Sequence, residues 1–240
     1  MALDEALMAR ARRSGETVLR TYSWSQPTLS LGRNQRARGE YDEAALRAAG
    51  ISVIRRPTGG RALLHHREVT YSVTAPLLAR ETLRTAYGRI NALLVDALAA
   101  LGVPVGIAAP VTRASLPTSR PCFAEPCGGE LTWMGRKLVG SAQWSDEGAL
   151  LQHGSILVND DQGAITGLMR VPRAPTPPPA TLYDILGRAP SQAEVHGALA
   201  SAVQQSTGAS PASLDLDSAT RAEAARIGAR YRDDEWTWRR

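Results

Sequence analysis

The chain of 240 residues predicts an α/β (α+β) protein, a mixed β-sheet flanked by helices and followed by a small helical C-terminal segment. Three observations predict it. Short runs rich in β-branched and aromatic residues alternate with apolar stripes at helical spacing from Ala2 to Val158. A proline-rich connector, VPRAPTPPPAT, breaks that alternation, and beyond it only helical patterns return. No period repeats, so a solenoid or propeller is excluded. The expected organisation is a catalytic domain over 1–175 with a helical extension, 176–240, packed on the same domain.

The elements follow in order. Leu3, Ala6, Leu7 and Ala11 share one face of a helix from about Ala2 to Arg13. Thr17 to Trp24 and Thr28 to Leu31 predict two strands joined around Pro27. Asp42 caps a short helix that Gly50 ends, and Ile51 to Arg56 is the next strand. That strand runs into the turn Thr58-Gly59-Gly60-Arg61, whose glycines let backbone amides approach a ligand, before a strand pair over Ala62 to Ala75. Thr82 to Leu101 is the longest helix, with Tyr87, Ile90, Leu94, Leu98 and Leu101 on its buried stripe and Gly102 stopping it. Val103 to Ile107 is a short strand. Residues 108–129 hold four prolines and a Gly128-Gly129 pair, an irregular loop of the length that carries function. Leu131 to Gln143 predicts a hairpin turning at Gly135-Arg136, and Leu150 to Val158 a further strand. After the connector, Ser191 and Glu194 form a capping box for a helix to about Gln205, and a last helix spans about Ser218 to Tyr231.

At 43% hydrophobic and 21% charged, the composition is that of a globular protein rather than a disordered one. No apolar run reaches the roughly 18 residues of a membrane span, and MALDEALMARARR has no secretory signature, so a cytoplasmic protein without a membrane partner is expected. Two cysteines five positions apart make no disulfide framework. The net charge of +5 suits an acidic protein partner, while nucleic acid is not expected, since no basic run, aromatic stacking motif or zinc-finger spacing accompanies it.

The 28 basic residues comprise 27 arginines and one lysine, Lys137, and the only phenylalanine, Phe123, lies with both cysteines, Cys122 and Cys127, just before it. Under a composition that favours arginine, a lysine that remains either survives by chance or must be lysine. A cysteine is a nucleophile only as its thiolate, so Cys122 needs a nearby cation, and Lys137 across the hairpin could supply it. An inert cysteine and a surface lysine are the plain alternative. A metal site from Cys122, Cys127, His65 and His153 is the other, although C-x4-C is poor zinc spacing. A G-x-S-x-G elbow, a Walker loop and a dinucleotide fingerprint are all missing.

The blocks RRPTGGRALLHHREVTYSV, GRKLVGSAQ and LLQHGSILV, in this order, resemble the biotin/lipoate protein ligase superfamily. Cys122-Phe123 in the loop before Glu130-Leu131, with Arg61 after the glycine pair, is similar to its cysteine-using octanoyltransferase branch. The resemblance covers nearly the whole chain. It implies the superfamily's catalytic-domain fold around an acyl tunnel, with Cys122 carrying an octanoyl thioester and Lys137 favouring the thiolate. The donor would be octanoyl-acyl carrier protein. The acceptor would be a lysine of a lipoyl domain, such as the glycine cleavage H protein or a 2-oxoacid dehydrogenase E2. Arg55, Thr58, Gly59, Gly60, Arg61, His65, Gly140, Ser141, Ala142, His153 and Gly154 would contact substrate. No cofactor, no metal and a monomer are expected. An ATP-dependent lipoate ligase and a catalytically silent acyl- or lipoyl-domain-binding homologue stand as alternatives. The chain departs from the family pattern by starting at its first helix without the usual preceding strand, by Gly128-Gly129 in place of bulkier residues, and by His66 where an acid is common.

Overall fold

The computed structural model describes residues 1–109, 121–124, 126–171, 173 and 175–239. Its elements are α1 (Ala2–Ser14), β1 (Val18–Tyr22), β2 (Thr28–Leu31), α2 (Glu43–Ala48), β3 (Ser52–Arg55), β4 (Leu63–His65), β5 (Glu68–Pro76), α3 (Leu83–Ala100), β6 (Gly106–Ile107), a 3₁₀ turn (Cys122–Ala124), β7 (Leu131–Trp133), β8 (Arg136–Asp146), β9 (Ala149–Leu157), α4 (Ala164–Gly167), α5 (Leu182–Leu186), α6 (Gln192–Thr207), α7 (Ser218–Tyr231) and α8 (Asp234–Thr237).

Local chemistry sets most boundaries. The Asp42 side chain accepts from the amides of Ala44 and Ala45, and Thr82 and Ser191 each close a capping box, with Thr85 and Glu194. Met134-Gly135 and Glu147-Gly148 form two-residue turns with positive φ at both positions, 48° and 76° in the first, 44° and 80° in the second. These are the turns whose twist matches paired strands, and they join β7 to β8 and β8 to β9. The first hairpin therefore turns at Met134-Gly135, one residue before the expected Gly135-Arg136.

The single mixed sheet of the sequence reading divides in two. A six-stranded sheet, ordered β1-β5-β9-β8-β7-β6, is antiparallel throughout. A three-stranded sheet, β3-β2-β4, carries the mixed pairing, with β2 parallel to β3 and antiparallel to β4. Two pairs of strands adjacent in sequence, β1 and β2 and then β4 and β5, thus part company. The chain passes from the large sheet to the small one between β1 and β2, and β4 and β5, expected as a pair, return it. Each finds its partners far away in sequence.

Alternation along β9 orients the layers. Leu150 joins a core with Val69, Tyr71, Val73, Ile90, Leu94, Leu98, Val195 and Leu199, so α3 and α6 cover one face of the large sheet. Leu151 packs with Met8 and Ala11 of α1 on the opposite face. A separate core under the small sheet holds Leu29, Leu31, Leu46, Leu64, Ile165 and Leu168. Of the C-terminal helices, α6 packs on α3, α7 on α1 and α8 on β3. Among the described residues, no helix is long and apolar enough to cross a membrane.

Candidate active site

A cavity of about 410 Å³ is lined by residues of both the large sheet and the small sheet. Its size is that of a small-molecule site. The large sheet supplies Gly140, Ser141, Ala142, His153, Gly154 and Ser155, and the small-sheet side supplies Arg56, Gly59, Gly60, Arg61, Leu63 and His65. Cys122, Cys127, Gly128 and Glu130 close it from the loop before β7.

The 3₁₀ turn is anchored to the strand below it, because the Cys122 amide donates to the Ala62 carbonyl at 2.8 Å. Phe123 buries its ring against Leu63 and Leu157. This leaves Cys122 half-buried, with its sulfur on the cavity. Lys137 enters from β8, fully buried, and its ammonium donates to Cys122 Sγ at 3.2 Å, to the Cys122 carbonyl at 2.9 Å and to Glu130 Oε1 at 2.6 Å. It also lies 4.8 Å from the centroid of Phe123, within cation–π range. Burial alone would lower the Lys137 pKa, but the charges of Cys122 and Glu130, with hydrogen bonds to both, hold it above the ordinary lysine value. The ammonium therefore stays charged in a water-poor slot beside the sulfur. The sequence left the approach of Cys122 and Lys137 open, and the structure brings them into hydrogen-bond contact.

The glycine turn is shaped by an arginine that the sequence reading passed over. Arg56 is buried and spends its donors on the carbonyls of Gly59, Ser30 and Arg61 and on Ser30 Oγ, at 2.7–3.1 Å. It folds the turn around its guanidinium and faces the cavity. Burial pushes its pKa down, opposed by Cys122 and Tyr41. Gly32 supports the turn from behind, since a Cβ there would meet the Gly60 carbonyl oxygen at 1.9 Å.

Arg55 and Thr58 require correction. Neither lines the cavity. Arg55 points the other way along β3, fully buried, with Nε donating to the Thr237 carbonyl and a terminal nitrogen donating to the carbonyls of Gly32 and Gln35. It ties α8 to the small sheet. Thr58 sits behind His153, its hydroxyl 2.6 Å from Nε2. Burial drives the His153 pKa down to about 3, so the ring is neutral near pH 7. His65 lines the cavity but both nitrogens are committed, Nδ1 to Glu68 at 2.7 Å and Nε2 to Ser30 Oγ at 2.8 Å, and its ring stacks on Trp24. Both histidines thus have structural hydrogen-bond roles. With Cys122 and Cys127 they form no metal-binding cluster among the described residues.

Glu130, Arg56, Tyr22 and Tyr87 line the cavity without having been singled out from the sequence. For Glu130 a signal existed: it is an acid seven residues before the only lysine, across a predicted hairpin. Cys127 stands at the rim with its surface largely exposed, and partial desolvation of its sulfur with the neighbouring Glu130 charge raises its thiol pKa.

A cysteine in contact with a buried lysine at the wall of a cavity, carried by two sheets flanked by helices, defines a site suited to covalent acyl chemistry. Comparison with known proteins places it. Residues 1–204 match the lipoyl protein ligase A/B catalytic domain, and the chain belongs to that family. Octanoyltransferase LipM of Kyrpidia tusciae is 39% identical over all of this chain and 94% of its own length. The same-named proteins of Symbiobacterium thermophilum and Staphylococcus aureus are 36% and 32% identical over the whole chain and 93% and 94% of theirs. Among solved structures, lipoate-protein ligase A bound with ATP superposes with a TM-score of 0.81 at 22% identity, covering 99% of this chain and 92% of that one. A putative lipoate protein ligase from T. acidophilum with bound lipoic acid gives 0.79 at 22% identity, covering 99% and 92%. These two share the fold.

Proposed function

We propose that this chain is an octanoyltransferase that moves an octanoyl group from octanoyl-acyl carrier protein, through a thioester on Cys122, to a lysine of a lipoyl domain. The carrying observation is the 3.2 Å contact between the buried Lys137 Nζ and Sγ of Cys122, which lines the cavity. Cysteine attacks a thioester through its sulfur as thiolate, and the ammonium in contact with Sγ pairs with the charge that the departing sulfur carries. The full-length similarity to octanoyltransferases LipM supports the same reading.

In the first half-reaction the Cys122 sulfur bonds to the acyl carbon and the donor's C–S bond breaks, releasing the donor thiolate. In the second, the neutral amine of the acceptor lysine attacks the acyl-enzyme, its nitrogen gives up a proton to water as the amide forms, and Sγ departs as thiolate beside Lys137. Exchange of one thioester for another is near balance and amide formation is downhill, so neither ATP nor a cofactor is needed. Gly59, Gly60, Arg61, His65, Gly140, Ser141, Ala142, His153 and Gly154 form the walls that hold the acyl group, with Arg56 shaping the turn. The acceptors would be proteins such as the glycine cleavage H protein or a 2-oxoacid dehydrogenase E2, and the work that of a cytoplasmic monomer.

Incubation with octanoyl-acyl carrier protein in the absence of ATP, read by intact mass, tests this. An octanoyl adduct on Cys122 that is lost on adding a lipoyl domain is the expected result. Acylation that requires free octanoate and ATP would make the protein a ligase, and no acylation under either condition a silent homologue.

A further inference from the structure

Glu130 has both carboxylate oxygens engaged. Oε1 accepts from Lys137 at 2.6 Å and Oε2 accepts from the Cys127 amide at 2.6 Å. Its own amide donates to the Cys127 carbonyl at 3.1 Å, its carbonyl accepts from Ala108 at 2.8 Å, and the preceding Gly129 carbonyl accepts from Asn91 of α3 at 2.6 Å. Such a carboxylate is fixed by its loop and cannot follow the sulfur.

We propose that Glu130 is a positioning residue that keeps Lys137 charged and aimed at Cys122 while the sulfur carries the acyl group, an inference that rests on the octanoyltransferase reading. The charges around Lys137 change during the cycle. In the free enzyme the ammonium faces the Cys122 sulfur and the Glu130 carboxylate. Once Sγ bonds to the acyl carbon, the negative charge leaves with the donor's thiolate and the sulfur becomes a neutral thioester. Lys137 then has the Cys122 carbonyl, the Phe123 ring and Glu130. Among the described residues, the other titratable groups facing this cluster are Tyr71 from β5, Tyr87 from α3, the buried Arg56 and Arg61, and Cys127 at the rim. None of these is a carboxylate, so among the described residues Glu130 is the anion that remains. A buried ammonium without an anion sheds its proton. A neutral lysine would lose the charge needed in the next step, when the acceptor nitrogen bonds to the acyl carbon, its surplus proton passes to water, and Sγ leaves as an anion. Glu130 thus matters most in the second half-reaction.

The test separates the two half-reactions in the wild type, Glu130→Gln and Glu130→Asp. Acylation of Cys122 is followed by intact mass, and the isolated acyl-enzyme is then given a lipoyl domain over a range of pH. Glutamine keeps the size and both hydrogen-bonding positions but not the charge. Transfer from the acyl-enzyme should fall roughly tenfold or more, by more than acylation falls. Its pH profile should gain a descending limb below the ordinary lysine range, and aspartate should restore the wild-type profile shape at a reduced rate. Equal losses in both half-reactions with an unchanged profile would mean a merely structural role and overturn the proposal, as would a wild-type rate of transfer. Should the glutamine variant fail to fold, the wild-type acyl-enzyme decides: a descending limb in its own transfer near pH 8–9, well below the ordinary lysine pKa of about 10.4, would overturn the proposal, and its absence would support it. Failure of the wild type to form any Cys122 adduct would sink the octanoyltransferase reading instead, a distinguishable result.

Discussion

Gly140 leaves the space that the Lys137 side chain occupies. A Cβ at Gly140 would lie 3.0 Å from Lys137 Cε, 3.2 Å from Nζ and 3.1 Å from the Phe123 ring edge. These are neighbours at the centre of the site, and each would have to give by a few tenths of an ångström, which shifts the ammonium relative to Sγ. Gly140→Ala should therefore reduce acyl transfer by about tenfold while costing about 1–2 kcal/mol of stability. Rates on octanoyl-acyl carrier protein and urea unfolding measure the two effects, and unchanged transfer would show that the slot is looser than these distances imply.

The same slot explains why the single lysine is not an arginine. Lys137 is fully buried between Cys122, Phe123, Glu130 and Gly140, and its compact ammonium contacts sulfur, carbonyl and carboxylate at once. A planar guanidinium is larger and directs its donors in a fixed fork. Lys137→Arg should keep the fold and lose at least about 100-fold in transfer. A wild-type rate in a correctly folded Lys137→Arg protein would refute the geometric argument.

Local signals were legible in the sequence and long-range pairings were not. Asp42 and the Ser191–Glu194 pair cap their helices as the sequence predicts, because a cap involves residues two or three positions apart. The division into two sheets was hidden, since β1 pairs with β5 and β4 with β2, contacts that no alternation pattern encodes. The Arg55-Arg56 pair shows the limit at one residue. Both are arginines at the end of one strand, and only the fold decides that Arg55 turns to α8 and Arg56 to the cavity. Cys122 and Lys137 were legible through their rarity, whereas Glu130 is one acid among 23.

His153 makes stability pH-dependent in a defined direction. Its pKa, about 3 in the folded protein, lies below the ordinary value of 6.5, because burial disfavours the imidazolium. The unfolded chain therefore takes up the proton first. The contribution is fully present above about pH 6.5 and is lost as pH falls toward 3, at up to about 1.4 kcal/mol per pH unit. Urea unfolding between pH 7 and pH 5 should show that slope in the wild type and a flatter one in His153→Gln. A wild-type stability that stays level across this range would contradict it.

The second thiol tests which sulfur does the chemistry. Cys127 stands at the rim of the same cavity, and its backbone amide, not its side chain, holds Glu130. Burial and the Glu130 charge raise its pKa, so at neutral pH it is less ionised than an ordinary cysteine. Lys137 contacts Cys122 Sγ directly and is hydrogen-bonded to no atom of Cys127. Replacing the thiol by a hydroxyl preserves the backbone hydrogen bond and removes only a weak nucleophile. Cys127→Ser should transfer octanoyl at a rate within about twofold of wild type, with the adduct still on Cys122, whereas Cys122→Ser should form no thioester. Loss of transfer in Cys127→Ser, or an adduct mapped to Cys127 in the wild type, would reassign the nucleophile.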